Sequence, residues 1–424
     1  MTAPLERPAC GTDDIERKFN IMKQFLVKCK ALLDGTGAQP IENAGMLVED
    51  GLVKAVGPYD AVRAQAPADV ELVDYSGKYV MPGIIDVHTH VIIDPEADFT
   101  GFVDRGDSDT AIAYRGMVNL KKTLDGGVTF IRDLGGYHFI DVELKKLLDA
   151  GKIEGCGMLA AGQMITMTGG HGWKLGRQAD GISECRKAAR EQILHGASYV
   201  KIMSSGGDLT PGPAGAPQLS SEEIRAAVEE AHKAGLRTTT HSHSAEAIKN
   251  ALDAGIDCIE HGMFIDEADV DYMVEHNIPL VPTLVAPWIC AEQGEEKGLP
   301  MDAVIKCKSA VSRHVESFKL ALRKGVKMAM GTDAGTPFCD HGAAYVDNLI
   351  LQCRYGMTPM QSLLTATRNA AEVIGIDEDY GTLESGKHAD FLVLNDNPLD
   401  SFETLRHIAE VYQFGKRVVR QYYI

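Results

Sequence analysis

Along residues 21–80 apolar and polar positions alternate in short runs, FLVKCKALLDGTG, AGMLVEDGLVKAVG and VELVDYSGKYVMPG. Period-two alternation suits strands with one buried face, and the Asp-Gly and Ser-Gly pairs that break it are turn signals. The stretch therefore predicts hairpins in a small β module. From about Gly83 to Gly375 the pattern changes. Eight short apolar runs (GIIDVH, VTFIRDL, GMLAAG, SYVKIM, RTTTHSH, CIEHG, IPLVPTL and KMAMGTD) are separated by amphipathic stretches. In SSEEIRAAVEEAHKAG, Ile224, Ala227, Val228 and Ala231 recur at helical spacing, Ser221 can cap the first turn and Gly235 can end the last. After about Glu384 β-like text returns in HADFLVLNDNPL and AEVYQFGKRVVR.

Apolar runs alternating with helices predict a parallel sheet, and at this length a closed (β/α)8 barrel is the natural solution. An open doubly wound sheet is the alternative, but it would want a Gly-rich phosphate loop after its first strand, and none is present. Ends that read as β around a β/α middle predict that the termini pair into one module beside the barrel.

Composition alters this picture little. Hydrophobic residues at 45 % and charged residues at 24 % are an ordinary globular balance. The formal net charge of −18, from 60 acidic and 42 basic residues, repels phosphate backbones and argues against a nucleic-acid partner. No run approaches the roughly 20 apolar residues of a membrane helix. The first twenty residues lack the apolar core of a secretory signal, so the expected location is the cytoplasm. Nine dispersed cysteines without C-x-x-C spacing suggest reduced, mostly buried thiols.

Candidate chemistry collects where the apolar runs end. His88 and His90 close GIIDV two positions apart, so in a strand both imidazoles point the same way and can converge on one ion. His-x-His alone is weak evidence. Active sites of β/α barrels, however, gather at the carboxyl ends of strands, and the placement recurs. His241 ends RTTT, His261 follows DCIE and Asp333 follows KMAMGT. Any single one could be a core histidine with its hydrogen bonds satisfied; together these nitrogen and oxygen ligands suit zinc or a similar divalent metal. Spacing alone leaves Lys201, after ASYV, as a surface lysine beside a strand.

The order MPGIIDVHTH, SYVKIM, TTTHSH, IEHG, GTDAG resembles the amidohydrolase superfamily. The connecting text TGGHG, GMTPMQSLLTATRNAAEVIGI and GTLESGKHADFLVLNDNPL is similar to its prolidase and arginine-carboxypeptidase-like branch, and the likeness covers nearly the whole chain after the first twenty residues. The resemblance implies an α/β fold: a (β/α)8 barrel, here residues 83–375, with a β-sandwich built from residues 21–82 and 376–424. It also implies two divalent metals, usually zinc. His88 and His90 would bind one and His241 and His261 the other, with Lys201, carboxylated to a carbamate, as the bridge. Asp333 would touch the metal on the His88 side and move the water proton. Two such ions roughly 3.5–4 Å apart lower the pKa of a shared water and polarise a carbonyl. His171, in TGGHG, matches a position that contacts the substrate carbonyl oxygen and would stabilise the oxyanion.

Substrate-binding candidates are less sharply marked. His243, two past His241, should face the same rim and could meet a substrate carboxylate. His341, in FCDHG, could line the pocket or fix its loop. Tyr137, His138, Trp173 and Lys174 are weaker candidates. The leading expectation is a metal-dependent hydrolase of dipeptides or N-acyl amino acids, a small-molecule enzyme that the resemblance makes a homo-oligomer. Hydrolysis of aryl amides, carbamates, ureas or cyclic amides is the alternative, and a non-catalytic metal-stabilised scaffold a remote one.

Overall fold

A computed structural model describes residues 24–209, 212 and 214–422. The expected module boundary at residue 21 and Cys10 lie outside the described residues. Strands β1 (Gln24–Leu32), β2 (Ile41–Glu49) and β3 (Leu52–Pro58) form an antiparallel meander. The turn from β2 to β3 is Asp50-Gly51, with φ of +51° and +79°, the paired positive values that a tight hairpin needs. The Ser-Gly pair behaves otherwise. Strand β4 (Glu71–Pro82) runs straight through Ser76-Gly77 and pairs with β1 in parallel, so the expected hairpin does not form there. Instead the Asp74 carboxylate accepts from the Ser76 backbone N–H at 2.8 Å, and the register with β1 slips between Cys29 and Ala31. The break in alternation marks an irregularity inside one strand, not a chain reversal.

The middle of the chain builds two parallel arcs. Strands β5 (Ile84–Thr89), β6 (Val128–Asp133) and β7 (Gly157–Ala160) form the first. The second contains β8 (Ile165–Thr166), β9 (Arg177–Gln178), β10 (Tyr199–Met203), β11 (Arg237–Ser244), β12 (Ile259–Phe264) and β13 (Leu280–Val281), in the order β13-β12-β11-β10-β8-β9. The eighth run, KMAMGTD, lies between the arcs as bridges. Ala329 N–H donates to the Leu280 carbonyl (3.2 Å), Val87 N–H to Met330 (3.0 Å) and Asp333 N–H to His88 (2.8 Å). At the other seam Ser198 N–H donates to Ala160 (2.7 Å). Among the described residues isolated hydrogen bonds, not continuous ladders, thus join the arcs into the (β/α)8 arrangement.

Helices cover the outside. In the helix Ser221–Lys233 the residues Ile224, Ala227, Val228 and Ala231 are buried, as their spacing predicts. The cap sits one residue earlier than expected. Ser220 Oγ accepts from Glu223 N–H (3.3 Å) while the Glu223 carboxylate accepts from Ser220 N–H (2.8 Å), a reciprocal box that Ser221 cannot make.

After the barrel, β14 (Phe391–Leu394), β15 (Glu410–Gln413) and β16 (Lys416–Arg417) return to the first module, where β14 pairs antiparallel with β4. One seven-stranded sheet, β16-β15-β14-β4-β1-β2-β3, therefore joins strands from before and after the barrel. Phe25, Val27 and Met46 from one wing pack with Phe391, Val393 and Tyr412 from the other in a single cluster, so one hydrogen-bonded sheet supplies both layers of a small sandwich. The cysteines among the described residues are free, and all but Cys353 are buried. No described helix is long and apolar enough to cross a membrane.

Candidate metal centre

The carboxyl ends of the barrel strands deliver the predicted residues to one cavity. His88 lies on β5 and His90 just beyond it; Lys201 is on β10, His241 and His243 on β11, and His261 on β12. Asp333 ends the eighth run, next to the bridge between Thr89 and Ala334. His88 and Lys201 are 1 % exposed and His241 and His261 4 %. These residues, with His171, Trp173 and Lys174, line a cavity of about 360 Å³, within the range of small-molecule sites.

Backbone strain concentrates here. His261 and Asp333 have φ of +67° and +66°, and Thr283, which hydrogen-bonds the His261 ring, has +45°. Such a conformation costs a non-glycine residue about 1–3 kcal/mol. It also breaks the alternation of a strand. Neighbours Glu260 and His261 should face opposite ways, yet both reach His88. The Glu260 carboxylate accepts from His88 Nδ1 at 2.8 Å, and the His261 ring lies 5.0 Å from that of His88, centroid to centroid.

The partners of the first two histidines fix their tautomers. A carboxylate only accepts, so His88 Nδ1 carries the proton donated to Glu260. His90 Nδ1 likewise donates to the Gly135 carbonyl at 3.2 Å. The remaining Nε2 lone pairs both face Asp333 Oδ1, each at 3.3 Å. Two lone pairs and an anionic oxygen converging in a buried site require a cation between them, a proton or a metal ion. Burial works against protonating His90, but the Asp333 carboxylate outweighs it and raises the ring above its ordinary value.

The other imidazoles are held neutral. Burial, the largest influence, lowers His88 to about 4 and His171 and His243 to about 3, and takes His241 and His261 well below their ordinary value. Neutral imidazole is the form that ligates. Burial also lowers the Lys201 amine to about 8. For Asp333 burial opposes the charge, yet the facing rings of His88, His90 and His261 hold its carboxyl well below the usual range.

Two sets of ligand atoms lie close enough for a single ion: His88, His261 and Asp333, and His241, His243 and His261, each set within 4.8 Å. His241 Nε2 is buried with no hydrogen-bond partner among the described residues. The donor chemistry fits divalent metals, and His243 stands with the ligand nitrogens as well as at the substrate rim.

Other candidates fall differently. The His171 ring lies 4.2 Å from that of His241. His341 does not line the cavity; its Nε2 donates to the Ile93 carbonyl at 2.9 Å, tying down the segment after β5. His138 pairs with Asp109 on the exposed surface. Sequence reasoning passed over Arg132 and Glu260, both fully buried, which pair at 2.6 Å behind His88. A charge inside each of two apolar runs, VTFIRDL and CIEHG, was the signal. It also passed over Asp208, which lines the cavity and carries no periodic signal.

Fold and site together define a β/α-barrel protein with an imidazole–carboxylate centre at its strand ends. The Amidohydrolase family model matches residues 79–418, and the chain belongs to that family of hydrolases. A bacterial imidazolonepropionase-like composite domain also matches residues 44–68. Ochratoxinase of Aspergillus niger is 29 % identical over 93 % of this chain and 86 % of its own length. The crystal structure of a Xaa-Pro dipeptidase with bound methionine in the active site shares 26 % identity over 93 % of this chain and 99 % of that one, at a TM-score of 0.84. A prolidase complexed with N-methylphosphonate-L-proline shares 29 % over 94 % and 100 %, at 0.85.

Proposed function

We propose that this chain hydrolyses the amide bond of a dipeptide or N-acyl amino acid with a water activated at a two-metal centre. The observation that carries the reading is the convergence of the His88 and His90 lone pairs on the Asp333 carboxylate, an arrangement that calls for a cation. Likeness to a Xaa-Pro dipeptidase and a prolidase over nearly their full lengths supports the substrate class.

His88, His90 and Asp333 would hold one ion, and His241 and His261, with His243 in reach, the other. Lys201, carboxylated to a carbamate, would bridge them. Its lowered basicity supplies the neutral amine that reacts with carbon dioxide. When bound, two divalent ions supply Lewis acidity toward the scissile carbonyl and an ionised water near neutral pH. Asp333 accepts the proton of the attacking water and returns it to the leaving nitrogen. His171, neutral and facing the cavity, donates to the carbonyl oxygen as negative charge develops there. Glu260, anchored by Arg132, keeps His88 in the tautomer that presents Nε2.

The apolar wall of Phe99, Trp173, Leu175 and Met263 favours a non-peptide aryl amide as the second reading. Metal analysis combined with a substrate panel tests both. The expected result is about two divalent ions per chain, turnover of Xaa-Pro or N-acyl-proline substrates, and loss of metal and activity together in Lys201→Ala. Full activity in that variant would overturn the carbamate bridge. Turnover only of amides lacking a free carboxylate would overturn the peptide reading.

A further inference from the structure

Asp208 is a buried acid that the chemistry above does not use. The residue is 6 % exposed and both its carboxylate oxygens lack a hydrogen-bond partner among the described residues. Other buried acids of the barrel are engaged. Asp86 accepts from His88 and Thr332, Asp133 from Thr89, Val91 and Gly135, and Glu260 from Arg132, His88 and Thr239. A carboxylate out of water without donors is strongly disfavoured, so a vacant pair of oxygens facing a cavity is a receptor for donors.

The surroundings define what donor fits. The His243 ring faces it, with Nδ1 4.0 Å from Asp208 Oδ1, beyond hydrogen-bond distance. In either tautomer His243 offers at most one N–H, against a carboxylate with about four lone-pair sites. Lys306 attracts the Asp208 carboxylate electrostatically. Beside Asp208, Leu209, Cys290 and Cys307 make an apolar wall of the same cavity, in which a charge-assisted bond is weakly screened.

The described residues flanking Asp208 are held. Gly206 N–H donates to Ala216 (2.9 Å) and Gln218 N–H to Ser204 (2.8 Å). A side chain at Gly207 would come within 2.4 Å of the His171 ring, so the glycine lets the loop press against the centre. Asp208 therefore stands one imidazole away from the ligand nitrogens of His241 and His261, whose rings lie 4.3 and 5.3 Å from that of His243.

We propose that Asp208 is the specificity-determining residue of this site, accepting a protonated amine of the substrate while the scissile carbonyl occupies the metal centre. The inference rests on the amide-hydrolase reading above and narrows it to substrates that carry an ammonium group. That group is either the free α-amine of a dipeptide, separated from the scissile carbonyl carbon by one Cα, or a basic side chain.

The test compares kcat/KM for methionyl-proline, N-acetyl-methionyl-proline and N-acetyl-lysine in the wild type and in Asp208→Asn. The wild type should prefer an amine-bearing substrate over its uncharged counterpart by about ten- to a hundredfold, the worth of a charge-assisted hydrogen bond. Asp208→Asn should bring that ratio close to one, and a ratio within each protein is unaffected by partial misfolding. Preference for methionyl-proline assigns the α-amine; preference for N-acetyl-lysine assigns a side chain. An unchanged ratio in Asp208→Asn overturns the inference and leaves the parent reading standing. If neither protein cleaves any of the three, the peptide reading fails, and calorimetry with n-butylamine decides on Asp208 alone. Binding by the wild type that Asp208→Asn loses supports it; equal binding, or none to either, overturns it.

Discussion

The cavity has two sides made of the same residue types, imidazole and carboxylate, and they are wired differently. On the His88 side each ring has its far nitrogen engaged, Nδ1 of His88 by Glu260 and Nδ1 of His90 by Gly135, and Asp333 is tied by its N–H to the His88 carbonyl. On the His241 side the His261 ring is tied to Thr283, but Nε2 of His241 and Nδ1 of His171 and His243 have no partner among the described residues, and neither has Asp208. Burial lowers His88 on one side and His171, His241, His243 and His261 on the other, with His90, raised by Asp333, the exception, so burial alone does not distinguish them. The hydrogen bond on the far nitrogen does, because it fixes which lone pair faces inward. The tied side is built to hold a charge in one position. The open side keeps unpaired atoms that, on the proposed reading, metal and substrate would complete.

Asp333→Asn is the most severe test of that contrast. It removes the anionic oxygen at which two Nε2 lone pairs meet, while preserving shape. We expect turnover to fall by about 10²–10⁴-fold, the usual worth of a positioned proton-transfer group, with most of the bound metal retained. Steady-state kinetics alongside metal analysis read the two effects separately. Near-normal turnover would move proton transfer away from the tied side and onto a group of the open one.

Glu260→Gln probes the wiring itself and should act less strongly on the site. The amide can still accept from His88 Nδ1, but it loses the charge that raises ring basicity and pairs with Arg132. Burial opposes the Glu260 charge, and Arg132 and His88 outweigh it, holding the carboxyl well below its usual range. Metal affinity should weaken by about 10–100-fold. Leaving Arg132 buried without its counter-charge should also lower stability by about 3–5 kcal/mol. Competitive chelation and denaturant unfolding measure the two. Unaltered affinity would mean that the bond to His88 is mere packing and that the two sides differ only in appearance.

The sequence exposed the tied and open sides unequally. His88, His90, His241, His261 and Asp333 stood out because a polar ligand at the end of an apolar run is conspicuous, and the barrel follows from runs alternating with helices. The His88–Glu260–Arg132 chain was present as two charges inside such runs, yet strict alternation assigns Glu260 to the face opposite His261. Only the positive φ at His261 reconciles them, and a backbone reversal in a non-glycine residue leaves no trace in hydropathy. The same limit applies to Ser76-Gly77, where pairing with a distant strand overrode a local turn signal. His341 shares its residue type with the ligands, but its role depends on a carbonyl 248 positions away, which no local pattern encodes. Asp208 follows Gly206 and Gly207, and its placement comes from contacts with His171 and from hydrogen bonds of Gly206 and Ser204 to Ala216 and Gln218.

Lys201 lies electrostatically between the two sides, acting on both His88 and His241, and gives the smallest and most graded effect. An amine reacts with carbon dioxide only when it has lost its proton. Lowering its pKa from 10.5 to about 8 therefore increases the reactive fraction at every pH below that range, to about one in ten at pH 7 and about one in two at pH 8. The histidines lowered by burial are already neutral and contribute no step in this window. If metal-free protein is reconstituted with zinc at constant dissolved carbon dioxide, activity should return about five times faster at pH 8 than at pH 7 and change by less than about twofold from pH 8 to pH 9. A rise that continues tenfold per unit through pH 9 would show an ordinary, hydrated lysine. Lys201 would then be a residue of the solvent-open side, and the dry contact between the two sides would form only once the metals are in place.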